Sequence, residues 1–419
     1  MAKENKKTLM PKLRFPEFKN RSGWGSTLLG AASIPVTERV GARKLTPVSI
    51  SAGVGFVPQS EKFGRDISGN QYSLYTLVRE GDFVYNKGNS LKFPQGCVYQ
   101  LRGWEEVAAP NVFIAFRLKQ DFVAEYFQYC FEKNLHGVQL TKHITSGARS
   151  NGLLNVSKDQ FFGVSIPTPL PDEQQKIADC LKSLDELIAA QGDKVGALKT
   201  YKRGLMLQLF PRGGETVPRM RFPEFQHNPE WSENKFGSII EVASGQVDPT
   251  KSPYTDLPHV GGENIESHTG EIIGVQTARQ LQLISGKYLF DETHILYSKI
   301  RPALNKVAAP DFKGICSADI YPVRPCTPKL RRDYLFYLLI SEQFLEYATK
   351  HSDRSKIPKI NRNTLMSYTV LLPSPDEQQR LADFLSSLDT QIVAEADKLA
   401  TLKIHKGALM QQLFPSLEM

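Results

Sequence analysis

The sequence predicts a mixed α/β (α+β) protein built by internal duplication, with two globular segments separated by a long antiparallel two-helix coiled coil. Three observations predict it. First, residues 172–210 contain no proline, and apolar residues return at alternating steps of four and three: Ile177, Leu181, Leu184, Ile188, Val195, Leu198, Leu205 and Leu209, with Gln191 and Lys202 in the two gaps. That is a coiled-coil seam sustained over about five heptads. An ordinary amphipathic surface helix carries a wider stripe and is rarely this long. Second, the stretch recurs 204 residues later, at 376–414, in the same frame: Leu381, Leu385, Leu388, Ile392, Glu395, Leu399, Leu402, Lys406, Leu409 and Leu413. Third, a box reading RFPEF opens each copy, at Arg14–Phe18 and Arg221–Phe225, and a tryptophan follows it (Trp24, Trp231). Two copies at so long a period make a duplicated domain and not a solenoid.

Each element has a local cause. Asp172 and Asp376 stand where helix N-caps belong, with Gln175 and Gln379 three residues on as capping-box partners. Pro169 with Pro171, and Pro373 with Pro375, stop the helices from extending backward, and Pro211 and Pro415 end them. Gly213 and Gly214 form a short linker into the second copy. In the first globular segment, residues 75–84, 96–100 and 107–118 read as strands and 122–132 as a short amphipathic helix. In the second, 287–297 and 314–323 read as strands and 332–347 as a helix. The order matches: strand, loop, strand, helix, basic loop, strand, long helix. Residues 171–211 and 375–415 agree at 24 of 41 positions, while the globular segments have drifted far apart. A shared task for the helices and different targets for the globular parts accounts for that contrast.

Length and composition set the class. A chain of 419 residues exceeds one typical core. It contains no run of eighteen apolar residues, and its basic N-terminus lacks the apolar stretch of a secretory signal. Five scattered cysteines fit a reducing cytoplasm better than a disulfide framework, and Cys316 and Cys326 lack zinc spacing. The net charge of +8 is compatible with nucleic acid but weak by itself.

Catalytic signatures are absent. The chain has no phosphate-binding G-x-x-x-x-G-K-[ST] loop, no H-E-x-x-H pair, no dinucleotide fingerprint and no N-P-P-[YF] or D-P-P-Y tetrapeptide. Its eight histidines have no ligand spacing, and Ser146 and Ser244 lack a nucleophile-elbow context. The expectation is a binding protein with no catalytic, cofactor or metal site.

Five loops mix Arg or Lys with Asn, Gln, Ser, Thr and Gly: residues 37–44, 86–92 and 143–151 in the first copy, and 298–306 and 354–363 in the second. Arg and Lys neutralise phosphates, Arg forks onto guanine, and Asn or Gln forks onto adenine. Solvated turns share this composition, but the loops recur at matched places, 86–92 with 298–306 and 143–151 with 354–363. The candidate DNA contacts are Arg43, Lys44, Lys87, Asn89, Lys92, His143, Arg149 and Asn151, then Lys299, Arg301, Asn305, Lys306, Lys356, Lys359, Asn361 and Arg362.

With the LRFPEF box before a tryptophan, the PDEQQ-led helix ending in LFP, the stretches REGDFVYNKGN and HILYSKIRP, and the duplication, the chain resembles the specificity subunits of type I restriction–modification systems. The resemblance covers nearly the whole chain. It implies an N-terminal segment (1–21), a target-recognition domain (22–168), a coiled-coil helix (169–211), a linker (212–229), a second target-recognition domain (230–372) and a second helix (373–419). Each domain would read one half of a bipartite double-stranded DNA site, and the coil would separate them and dock two modification subunits. Adenine methylation with S-adenosylmethionine would belong to those partners. Cleavage and ATP- and Mg-dependent translocation would belong to a restriction subunit. At 1.5 Å per residue each helix is about 58 Å long, which suits half-sites about one duplex turn apart. Gln191 and Glu395, central in their copies, are expected to set the helix register. The alternative readings are a coiled-coil adaptor that binds only proteins and a stand-alone repressor.

Overall fold

The computed structural model describes residues 9–88, 92–144, 153–353 and 356–415. They fall into two units, Met1–Gln191 with Lys398–Met419, and Gly192–Asp397. In chain order the first unit carries β1 (Gly25–Leu28), α1 (Leu29–Ala32), β2 (Ser33–Pro35), β3 (Val48–Ser51), β4 (Gly55–Pro58), α2 (Gln59–Phe63), β5 (Thr76–Arg79) and β6 (Phe83–Asn86). It continues through β7 (Cys97–Gln100), β8 (Glu106–Ala109), β9 (Ile114–Leu118), α3 (Ala124–Glu132), α4 (Leu135–Leu140), α5 (Lys158–Phe162) and β10 (Ser165–Thr168) into the long helix α6 (Pro171–Leu209). The second carries β11 (Ser232–Lys235), α7 (Phe236–Ile239), β12 (Ile240–Val242), β13 (Gln246–Val247), β14 (Pro258–Val260), β15 (Gln276–Thr277), β16 (Lys287–Phe290) and β17 (Ile295–Ser298). Then follow β18 (Val307–Ala308), β19 (Gly314–Cys316), β20 (Ile320–Pro325), α8 (Arg332–Ile340), α9 (Glu342–Lys350), α10 (Arg362–Met366), β21 (Thr369–Leu372) and α11 (Pro375–Leu413).

The duplication is visible strand by strand. In the first unit β2-β9-β6-β7 form one antiparallel sheet, and in the second β12-β20-β17-β18 do the same. β1 pairs with β10, and β11 with β21, so the two ends of each globular segment are tied together. The pair β5–β8, extended by bridges from Arg39 to Thr76 and from Pro47 to Ala108, matches the five-stranded sheet β13-β16-β19-β14-β15.

Several sequence expectations are corrected. The runs 75–84, 107–118, 287–297 and 314–323 each contain two strands and not one. Turns break them: Gly81 has φ 87°, and the Asp82 carboxylate accepts the Arg79 N–H at 2.9 Å. Asp291 does the same work for Thr293, at 3.0 Å. A short acidic side chain that takes a nearby backbone N–H competes with the ladder. The run 332–347 is two helices, because Ser341 ends α8 and its Oγ accepts the Phe344 N–H at 3.3 Å to start α9. Asp172 and Asp376 are not N-caps. Pro171 and Pro375 take the first helical position, where a missing N–H costs nothing. Ser374 Oγ accepts the Glu377 N–H at 3.3 Å, while Gln175 and Gln379 reach forward to Asp179 and Asp383 instead of back to a cap.

The repeated boxes are a clamp. Arg14 donates two hydrogen bonds to Glu173, both 2.7 Å, and its remaining N–H groups reach the carbonyls of Arg21 and Ser22. Trp24 Nε1 adds a third donor to Glu173 at 3.1 Å. In the second unit Arg221 forks onto Glu377 at 2.8 and 2.7 Å and reaches the carbonyls of Asn228 and Pro229. Phe15 and Phe222 lie under Lys176 and Arg380, which also pair with Glu17 and Glu224. Gln174 and Gln378 close the carbonyls of Pro169 and Pro373 and accept N–H groups of Val123 and Arg331. RFPEF and PDEQQ are therefore two halves of one joint that fixes a globular segment to the start of its helix.

Inside each unit the helix segments run antiparallel. Every seam position from Ile177 to Leu209 and from Leu381 to Leu413 is buried or half-buried. The charged gap residues are ion-paired. In the first unit Lys406 meets Asp185 and Glu132, each at 2.7 Å, and lies 5.2 Å from the Tyr129 ring, whose hydroxyl donates to Asp185 at 2.9 Å. In the second, Lys202 meets Asp389 at 2.5 Å over the Tyr337 ring, and Tyr337 donates to Asp389 at 2.9 Å. Burial, with the adjoining carboxylate, pushes both phenols up, so they remain donors. Glu395 accepts from Lys194 at 2.5 Å, and Gln191 is buried. The LF end of α11 joins the first core, with Phe414 packed 5.5 Å from Tyr126, and the LF end of α6 joins the second, with Phe210 5.6 Å from Tyr334.

Candidate nucleic-acid interface

The structure joins the two candidate loops in the second unit, and in the first it joins the loop after β6 to residues 153 and 154. In the first, β6 is a buried Phe-Val-Tyr-Asn run that delivers the chain to Lys87. Lys87 O accepts the Leu154 N–H at 2.8 Å and Gly88 bridges to Leu153, so the loop after β6 meets the segment that leads into α5. Asn86 holds the turn, accepting from Gly88 N at 2.6 Å and donating to Ile50 O at 2.7 Å. Gly96 closes the loop, because a Cβ there would sit 2.4 Å from Asn86 O. In the second unit Lys299 O accepts the Ile360 N–H at 3.0 Å, Arg301 N donates to Pro358 O at 2.6 Å, and Ile300 bridges to Lys359. The same backbone junction therefore stands at the same place in both folds.

The candidates divide by what their side chains already touch. Lys44 and Lys92 are exposed, the latter with its ammonium 5.8 Å from the Phe93 ring. Lys87 and His143 are half-buried. Arg43 belongs to a surface network with Glu38 at 3.1 Å and Glu106 at 3.9 Å, which also takes Arg79. Hydrogen bonds from Arg79 hold the Glu38 carboxyl below its ordinary range, so that network is charged on both sides. Asn89, Arg149 and Asn151 lie outside the described residues.

In the second unit Arg301, Lys356 and Lys359 are exposed. Lys299 donates to Ala318 O at 2.7 Å and Lys306 to Gly262 O at 2.5 Å. Asn305 is buried, takes φ 46° and donates to Ile340 O at 2.9 Å, which leaves it no edge for a base. Asn361 caps α10 by accepting the Thr364 N–H at 2.8 Å, and Arg362 donates to Val242 O at 2.8 Å. An open cleft of about 600 Å³ adjoins this loop, lined by Tyr347, His351, Asn361, Arg362, Asn363, Thr364 and Ser367. Thr364 and Ser367 are polar groups beyond the loop that the sequence singled out and carry no charge signal, and Asn363 is the last residue of that loop.

Among the described residues no group of His, Cys, Asp and Glu could hold a metal ion, and no helix is long and apolar enough to cross a membrane. The arrangement offers cations on loops next to polar side chains, which suits anionic backbone contact combined with base-edge reading.

The family described as Type I restriction modification DNA specificity domain matches residues 83–196 and 228–403, one stretch in each copy. The EcoDI specificity subunit of the Escherichia coli type I restriction enzyme is 29% identical over 263 residues, 57% of this chain and 58% of that protein. The MjaVIII specificity subunit of Methanocaldococcus jannaschii is 24% identical over 283 residues, 64% of this chain and 66% of that protein. The chain thus spans about three-fifths of the length of these relatives. A solved chain of a type I R-M system, determined for complex assembly and conformational transition, shares 17% identity at a TM-score of 0.57, over 94% of this chain and 98% of that one. The type I restriction-modification S subunit from M. genitalium gives 14% and 0.54, over 98% and 100%. These two establish likeness of fold. With both copies matched by one family across most of their length, the chain belongs to the type I restriction modification DNA specificity domain family.

Proposed function

We propose that this chain is the DNA sequence-specificity subunit of a type I restriction–modification complex. Each unit reads one half of a bipartite double-stranded DNA site through the paired loops that follow β6 and β17. The observation that carries the reading is that two nearly identical joints, Arg14–Glu173 and Arg221–Glu377, hold two different globular surfaces. Alike supports with unlike reading surfaces are what a split, asymmetric target requires. The residues bounding the readers are 22–168 and 230–372, and the seam residues keep the helices paired. The coil sets the spacing of the half-sites and docks two modification subunits. The chain itself is non-catalytic and acts in the cytoplasm. S-adenosylmethionine serves the modification subunits, and ATP and Mg serve the restriction subunit. A purely protein-binding adaptor is disfavoured by membership of a DNA specificity family.

The test is to co-express the chain with the modification subunits of its own system and map methylated adenines across genomic DNA. A split motif with a fixed unspecified gap is expected. Methylation at a continuous motif would overturn the bipartite reading, and no sequence-specific methylation would leave the adaptor ahead.

A further inference from the structure

The hairpin β3–β4 of the first unit has a use that the joints and the basic loops do not explain. Its tip is Ala52-Gly53-Val54, closed by a Val54 N–H bond to Ser51 O at 3.0 Å. Gly53 and Gly55 take φ 82° and 102°, which only glycine adopts easily, so the tip is built to turn tightly around one large side chain. That side chain, Val54, is 72% exposed. The base of the hairpin is rigid: Val48 and Ile50 are buried in a cluster with Val78, Val84 and Val107. The tip is also pinned, with Gly53 N donating to Tyr99 Oη at 2.6 Å and Ile50 O accepting from Asn86 at 2.7 Å.

Those pins attach the tip to the candidate loop. Asn86 opens that loop, and Gly53 faces the Phe93 ring, which also lies beneath the Lys92 ammonium. Lys62, on the helix that follows the hairpin, donates to Ser49 at 3.0 Å. A valine is thus presented to solvent at the end of a fixed two-stranded ribbon, with Lys62 bound along the ribbon and Lys92 on the loop whose Phe93 faces Gly53. Solvent exposure of a single apolar residue needs no explanation in general; its rigid presentation beside a basic loop does. The corresponding place in the second unit is different. There β14 leads to β15 through a long connection that carries Glu263, Glu266 and Glu271 and makes its own small hairpin, with Ile265 bridged to Ile272; its turn, residues 267–270, is polar, and the exposed Ile273 lies beyond it. The two tips therefore differ in chemistry, apolar in the first unit and polar in the second, as unlike half-sites require.

Resting on the DNA reading above, we infer that Val54 is a specificity-determining residue of the first unit, and that its partner is the 5-methyl group of a thymine in the major groove. A two-stranded ribbon fits that groove, and an apolar side chain there distinguishes thymine by its methyl. The flanking cations meet the phosphates.

The experiment uses the full chain with its modification subunits and measures binding to DNA carrying the motif selected by the wild type. Val54→Ala is expected to lower the preference for thymine at one position of one half-site by roughly fourfold, the factor that goes with burying one methyl group. Val54→Ile is expected to keep it. Replacing that thymine by deoxyuridine should cost the wild type a similar factor and leave Val54→Ala unchanged. An unaltered motif in Val54→Ala, or equal sensitivity of both proteins to deoxyuridine at every thymine, overturns the inference while the bipartite reading stands. If the wild type selects no DNA at all, both fall. Thermal unfolding of Val54→Ala should match the wild type, since the side chain is exposed.

Discussion

Glu173→Ala lowers the stability of the first unit by about 3–5 kcal/mol, the usual cost of stranding one partner of a buried ion pair. The side chains of Arg14 and Glu173 are only 6% and 1% exposed, so water does not replace the lost carboxylate. Three donors lose their acceptor at once, two from Arg14 and one from Trp24. The second unit provides an internal comparison. Glu377→Ala removes two Arg221 bonds, but Trp231 Nε1 has no acceptor in the native fold among the described residues, so nothing further is lost there. The first substitution should therefore cost more than the second. Urea unfolding of each variant of the full chain measures this, and a loss below about 1 kcal/mol for Glu173→Ala would mean that the joint is ornamental. Replacing Arg14 and Glu173 together by apolar residues is expected to cost less than either single change.

His136 makes the first unit sensitive to acid. It is 1% exposed, packed edge-on against Tyr85 and Phe131, and neither ring nitrogen has a hydrogen-bond partner among the described residues. Burial therefore pulls its pKa from 6.5 down to about 3. The folded chain keeps the ring neutral while the unfolded chain takes a proton below 6.5, so the stability is fully present above 6.5 and is lost as pH falls toward 3. The loss is about 1.4 kcal/mol per pH unit within that window. His136→Leu should abolish this component. It should also raise stability at neutral pH, because an unpaired polar ring leaves an apolar pocket. Parallel pH profiles for wild type and variant, followed by urea unfolding between pH 4 and 7, would contradict the assignment.

The long-period features were legible before any coordinates, because they depend on spacing alone. A seam that returns every three or four residues needs no knowledge of the partner, and the second copy supplied one. The short-range breaks were not legible. Residues 75–84 read as one strand because Thr76–Val78 and Phe83–Val84 flank the middle with strand-forming residues, and the φ of Gly81 with the Asp82 carboxylate on the Arg79 N–H shows where the chain turns. The clamp was hidden for another reason: Arg14 and Glu173 are 159 residues apart, and neither carries a mark of being buried. The repeated arginine of one box and the repeated glutamate of the other were the available signal. Loop chemistry was the least legible. Asn305 and Lys306 have the composition of base and phosphate contacts, yet their side chains are taken by the carbonyls of Ile340 and Gly262. Charge is written in the sequence, but the carbonyl that will sit beside it is not.

Two alike supports, Arg14–Glu173 and Arg221–Glu377, are proposed to carry two independent readers. The most direct measurement is to exchange residues 22–168 for the equivalent segment of a relative and map methylated adenines on the same genome in the presence of the modification subunits. A motif with one half replaced, the other half retained and the gap unchanged is expected. Alteration of both halves in a folded protein would contradict it.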